Sequence, residues 1–136
     1  MARVLIVDDS QIVTKMVGGF LSRKGFDVEV TNSPFGVSNR LREFRPQILL
    51  MDLGLPGLKG DKLLELCSTV GCEFRTIIVS SAEEKELKSV VAQGLAHDFF
   101  MKGAPLEQLE YKINQQILCL SPEAGAMKTA GVMAAG

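Results

Sequence analysis

The chain has 136 residues, 46% of them hydrophobic and only five of them proline, which suits one compact domain with its own core and leaves little room for two. Its 15 basic and 16 acidic residues leave a net charge of −1, without the basic stripe that binding a phosphate backbone requires, so no direct nucleic-acid partner is expected. No apolar stretch approaches the roughly 20 residues of a membrane span, and Met1-Ala2-Arg3 runs straight into a strand-like segment rather than a signal peptide, which predicts a cytoplasmic protein with no membrane association.

Val4-Leu5-Ile6-Val7 reads as a buried strand and runs into Asp8-Asp9. Ile12, Val13, Met16, Val17, Phe20 and Leu21 then recur at helical spacing until Gly25. Phe26 to Val30 alternates like a short strand. Ser33-Pro34 offers an N-cap with proline at the first helical position, for a helix with Val37, Leu41 and Phe44 on one face and Pro46 at its close. Gln47 to Met51 is the third strand and ends on Asp52. Gly54, Pro56, Gly57 and Gly60 make the next segment a loop, and Leu63, Leu66, Cys67 and Val70 suit a third helix that stops near Gly71.

Arg75 to Val79 is the fourth strand and ends on Ser80. Ser81-Ala82-Glu83-Glu84 has the capping-box pattern for a fourth helix with Leu87, Val90 and Val91, stopped by Gly94. His97 to Met101 is the fifth strand and ends on Lys102. Pro105 opens a last helix with Leu106, Leu109, Ile113, Ile117 and Leu120 along one stripe. The domain is expected to span residues 1–120, and residues 121–136, rich in alanine and glycine, to form a flexible tail. Three cysteines, Cys67, Cys72 and Cys119, have no Cys-x-x-Cys spacing, which argues against a disulfide framework and a zinc site.

Strands alternating with helices predict an α/β fold: a doubly wound five-stranded parallel sheet between two helical layers. The first, third and fourth strands are richest in aliphatic residues and should form its centre. A strand order of 2-1-3-4-5 puts the topological switch between strands one and three, beside Asp8, Asp9 and Asp52, where ligands of open α/β sheets sit. Three carboxylates concentrate like charge unless a cation is present. An oxygen-only donor set favours a hard ion such as Mg²⁺, and a carboxylate can accept a phosphoryl group as an acyl phosphate. Asp52, the lone acid on a central strand end, is the best acceptor; Ser80 and Lys102 can donate to phosphoryl oxygens.

Val7-Asp8-Asp9-Ser10, Met51-Asp52-Leu53-Gly54-Leu55-Pro56-Gly57-Leu58-Lys59-Gly60, Ser80 and Lys102, in that order, closely resemble the receiver domains of two-component response regulators. The resemblance covers about residues 2–120. It implies the flavodoxin-like, CheY-like three-layer sandwich, with Asp52 as phospho-acceptor and Mg²⁺ held directly by Asp9 and Asp52, through water by Asp8, and by the backbone carbonyl of Gly54. It also implies that Ser80 swings toward the acyl phosphate, that Lys102 ion-pairs with it, and that Phe99 is the aromatic switch moving with Ser80. A histidine kinase or histidine phosphotransfer protein is the implied phosphodonor. A downstream protein docking on the fourth helix, fifth strand and fifth helix is the implied target. The implied chemistry is self-catalysed transfer to and hydrolysis from Asp52, not turnover of a separate substrate.

The chain departs from that pattern in several places. Gly103-Ala104 separates Lys102 from Pro105, where the family usually has proline directly after the lysine in a cis bond; without proline a trans or locally mobile link is expected. Gly54 and Ala82 stand where relatives often carry side chains that orient the hydrolytic water, which implies an open phosphate site. Phe99 lacks a hydroxyl, Phe100 should be plain core, and His97, the lone histidine, is expected at the surface.

Two other classes fit less well. A haloacid-dehalogenase-like phosphatase wants a second aspartate where Gly54 stands, and a flavin binder would find its phosphate repelled by Asp8-Asp9. No effector domain fits after Leu120, so a single-domain regulator acting by protein contact is expected, the alternatives being a receiver excised from a longer regulator or hybrid kinase, or a pseudo-receiver working without phosphate. The last helix carries Glu107, Glu110, Lys112, Gln115 and Gln116 rather than an arginine-rich face, which predicts a resting monomer.

Overall fold

The computed structural model describes residues 2–53 and 69–121. Gly54, the loop after it, all but the last turn of the third helix expected to stop near Gly71, Cys67 and the tail from 122 lie outside them. The described strands are β1 (Arg3–Val7), β2 (Asp27–Thr31), β3 (Ile48–Met51), β4 (Arg75–Ser80) and β5 (Asp98–Met101). The described helices are α1 (Gln11–Arg23), α2 (Val37–Phe44), α3 (Glu84–Ala92) and α4 (Leu106–Ile117). The fourth and fifth helices expected from sequence are therefore α3 and α4.

All strands pair in parallel, in the expected order β2-β1-β3-β4-β5. The central strands are almost wholly buried because both sheet faces are covered. Successive residues alternate between faces. Val4, Ile6, Ile48, Leu50, Ile77, Val79 and Phe100 pack with Val17 and Leu21 of α1 and with Leu109 and Ile113 of α4. Leu5, Val7, Leu49, Met51 and Ile78 pack with Val37 and Leu41 of α2 and Leu87 of α3. The register pairs Val7 with Met51 and Ser80 with Met101, so the strands finish level and the residues after them share one edge. Among the described residues no helix is long and apolar enough to cross a membrane.

Helix starts differ from expectation. α2 begins at Val37 after Gly36, whose φ of 82° lies in the left-handed region that favours glycine, and not at Pro34. Thr31 and Ser33 spend their hydroxyls on local turns instead: the Ser33 and Phe35 amides donate to Thr31 Oγ1 and Ser33 Oγ, which holds the segment out of the helix. Ser81 does not cap α3; Glu83 is the N-cap residue, with no side-chain cap bond, and the local bond is from the Ala82 amide to Ser80 Oγ at 3.1 Å. Pro105 is extended, with ψ 135°, so α4 starts one residue later, at Leu106, and it ends at Ile117 rather than near Leu120.

Candidate functional site

The strand ends bring the expected acids together. One carboxylate oxygen from each of Asp8, Asp9 and Asp52 lies within 4.8 Å of the others, with Asp8 and Asp52 buried and Asp9 exposed. Lys102 follows β5 and reaches inward: its Nζ is 3.0 Å from Asp8 Oδ2 and 3.1 Å from Asp52 Oδ2. The second contact is a hydrogen bond. The first is a close ion pair, and among the described residues the buried Asp8 Oδ2 has no other polar partner.

The residues after β1 explain how Asp8 is held. The Ser10 amide donates to Asp8 Oδ1 at 2.9 Å, while Ser10 Oγ accepts the Val13 amide at 3.2 Å and caps α1. One residue thus starts the helix and fixes the carboxylate. Asn32, just after β2, donates through Nδ2 to the Asp8 carbonyl at 2.8 Å and to Thr14 Oγ1 at 3.3 Å. Asn32 and Thr14 were not singled out from sequence. The pattern of residues at strand ends extends to Asn32, but β2 is polar and partly exposed, so its end is less conspicuous than those of the central strands.

Burial pushes the Asp8 carboxyl above the usual carboxylate range, and the Asp52 charge adds to this against the pull of the Ser10 amide and the Lys102 ammonium. Burial works against the Lys102 charge, but its bonds to Asp8 and Asp52 outweigh that and raise it above an ordinary lysine. One cation among three acids leaves the cluster negative. With three carboxylate oxygens converging, one lysine between them and only oxygen donors, the residues fit a hard divalent cation.

Ser80 ends β4 on the same edge and is buried, its hydroxyl oxygen accepting from the Ala82 amide and its proton free to donate elsewhere. The Lys102 amide bonds the Ser80 carbonyl at 2.9 Å, tying the two strand ends together. Among the described residues no peptide bond is cis, so the Lys102-Gly103 link is trans, and Gly103 turns the chain with φ 95°. Phe99 is partly buried against the cluster under α3 and Phe100 is core on the other face. His97 is exposed, as expected, yet its Nδ1 accepts the Thr76 amide at 2.9 Å.

A family model described as "Response regulator receiver domain" matches residues 4–114. The DNA-binding response regulator MtrA of Mycolicibacterium smegmatis is 27% identical over 95% of this chain and 56% of its own length. The chain therefore spans about half the length of that and several similar curated relatives. The chemotaxis protein CheY of Bacillus subtilis is 26% identical over 85% of this chain and 97% of its own. In fold, the chain is similar to the receiver domain protein (CheY-like) of Methanospirillum hungatei, with a TM-score of 0.76 at 24% identity over 86% of this chain and 94% of that one.

Proposed function

Because the chain belongs to the response regulator receiver domain family of two-component signalling, we propose that it is a phospho-accepting receiver with Asp52 as acceptor. The observation that carries the reading is the buried Asp52 carboxylate, 3.1 Å from the Lys102 ammonium and clustered with Asp8 and Asp9 at the switch of the sheet. An Asp52 oxygen forms the bond to phosphorus as the bond to the donor's imidazole nitrogen breaks, leaving an acyl phosphate. Lys102 neutralises charge on the transferred oxygens, and Ser80 turns its hydroxyl proton toward them. Asp8, Asp9, Asp52 and the Gly54 carbonyl would hold Mg²⁺, which when bound supplies positive charge to the phosphoryl oxygens. The chain's own chemistry is confined to gaining and losing this group.

A histidine kinase or histidine phosphotransfer protein is the proposed donor. A protein partner docking on α3, β5 and α4 is the proposed target, engaged when Ser80 and Phe99 move together. The resting protein is proposed to be a cytoplasmic monomer with residues 1–120 as its domain. A second reading, that the chain is the receiver part of a longer regulator, is favoured by its span of only 56% of MtrA.

Incubation with Mg²⁺ and a small phosphodonor, read by intact mass, tests the central claim. One phosphoryl adduct is expected on the wild type and none on Asp52→Asn. An adduct on both, or on neither, overturns it.

A further inference from the structure

Lys112 reaches across the open edge of the sheet. It stands on α4, which packs with Phe100, whereas the Phe99 ring packs against the cluster on the opposite face. Its Nζ is 2.7 Å from the Phe99 carbonyl oxygen, 3.3 Å from Asp98 Oδ1 and 4.6 Å from the centre of the Phe99 ring. Asp98 Oδ1 in turn accepts the Phe99 amide at 2.8 Å. β5 is the last strand of the sheet, so these side chains do for Phe99 what a neighbouring strand would do: one bonds its N–H, the other its C=O. The ammonium also sits against the aromatic face, where a cation is attracted to the ring. Three residues on, the same strand delivers Lys102 to Asp8 and Asp52.

We propose that Lys112 is a staple that holds β5 and Phe99 in their resting arrangement, so that its charge sets how readily the Asp52 site takes up a phosphoryl group. The proposal rests on the reading of Asp52 as acceptor. Three contacts converge on one ammonium and tie α4 to a residue of the opposite layer, so Phe99 cannot change position without releasing them. A ligand shifts such an equilibrium only by its preference between the two arrangements, and contacts made only in the resting one subtract from its apparent affinity. Lys112 is thus a positioning residue that acts through Phe99 and β5, and removing its charge should make activation easier while making the resting fold weaker. A merely structural lysine would not separate the two effects.

The test measures binding of beryllofluoride, a mimic of the phosphoryl group, with Mg²⁺ to the full chain. Lys112→Met keeps the aliphatic stem and removes the charge; it should bind more than twofold tighter than the wild type and melt at a lower temperature. Lys112→Arg keeps the charge and should stay within twofold of the wild type. Asp98→Asn, which leaves Lys112 with the carbonyl and the ring, should move in the same direction as Lys112→Met by a smaller factor. Binding by Lys112→Met within twofold of the wild type, or weaker, overturns the proposal. If the wild type takes neither beryllofluoride nor a phosphoryl group, the acceptor reading has failed. The staple is then judged by the NMR signals of labelled Phe99 without ligand, which must differ between the wild type and Lys112→Met; identical signals overturn it.

Discussion

Lys102 is the residue on which the resting site depends, because its ammonium is what lets two buried carboxylates face each other. Removing one partner of a fully buried ion pair costs about 3–5 kcal/mol. Lys102 is partly exposed, so Lys102→Met should cost less, about 2 kcal/mol, in urea unfolding at neutral pH without Mg²⁺. The added Asp8→Asn change should recover part of that loss, since the two residues share one interaction. His97 gives a pH-dependent prediction. A backbone amide can only donate, so Nδ1 must be unprotonated where it meets the Thr76 amide. Burial of that edge of the ring and the nearby Arg75 charge lower the His97 pKa below 6.5. The fold thus favours the neutral ring: its contribution is complete above about pH 6.5 and is lost as the pH falls from there through the lowered folded value. Melting temperatures from pH 7.5 to 5 should fall more steeply for the wild type than for His97→Asn, which cannot take up that proton. Parallel curves would show that the ring does not contribute.

At the scale of elements, α1 does two things: it packs on β2 and β1, and through Ser10 it starts beside the acid cluster. Gly18 lies inside it, and a Cβ there would meet Val30 Cγ2 at 3.6 Å, Val28 Cγ1 at 3.7 Å and Ile6 Cδ1 at 3.8 Å, all ordinary contacts. Gly18→Ala should therefore stabilise the protein by about 0.5–1 kcal/mol, visible as a higher urea midpoint with unchanged slope. The element scale is also where sequence reasoning was weakest. The strands were legible because four apolar runs each end on a polar residue. The starts of α2 and α3 were not, because Ser33 and Ser80 bond nearby amides in turns, a choice between local partners that residue order does not reveal. The cross-layer reach of Lys112 was equally hidden: a long flexible side chain has no spacing rule, and the residue read as part of a polar helix face.

For the molecule as a whole, the level strand ends turn five separate segments into one pole of charge. The acid pair after β1, Asp52 and Lys102 were legible because strand order and strand ends together determine which residues meet, while Asn32 was hidden by the polar character of β2. A cation bound only by the folded cluster stabilises the whole domain by mass action. Mg²⁺ at about ten times its dissociation constant should add roughly 1.4 kcal/mol and raise the melting temperature by a few degrees over protein kept in chelator. Asp9→Asn should blunt that rise; an equal rise in the variant would place the ion elsewhere.

At the opposite pole, Glu73 accepts both the hydroxyl and, at 3.1 Å, the amide of Ser121, while Arg75 donates to Gln116 Oε1 at 2.9 Å. These bonds moor the last described turn of the chain beside the amino end of β4, whose six residues separate it from Ser80 by roughly 20 Å. A fluorophore or affinity handle attached beyond Ser121 would start from the end of the sheet remote from Asp52, leaving the edge that carries the acid cluster unobstructed. A distance measured from such a label to one on the β5–α4 loop would then report on the acid-cluster end of the sheet from a reference point moored by its own bonds at the other end.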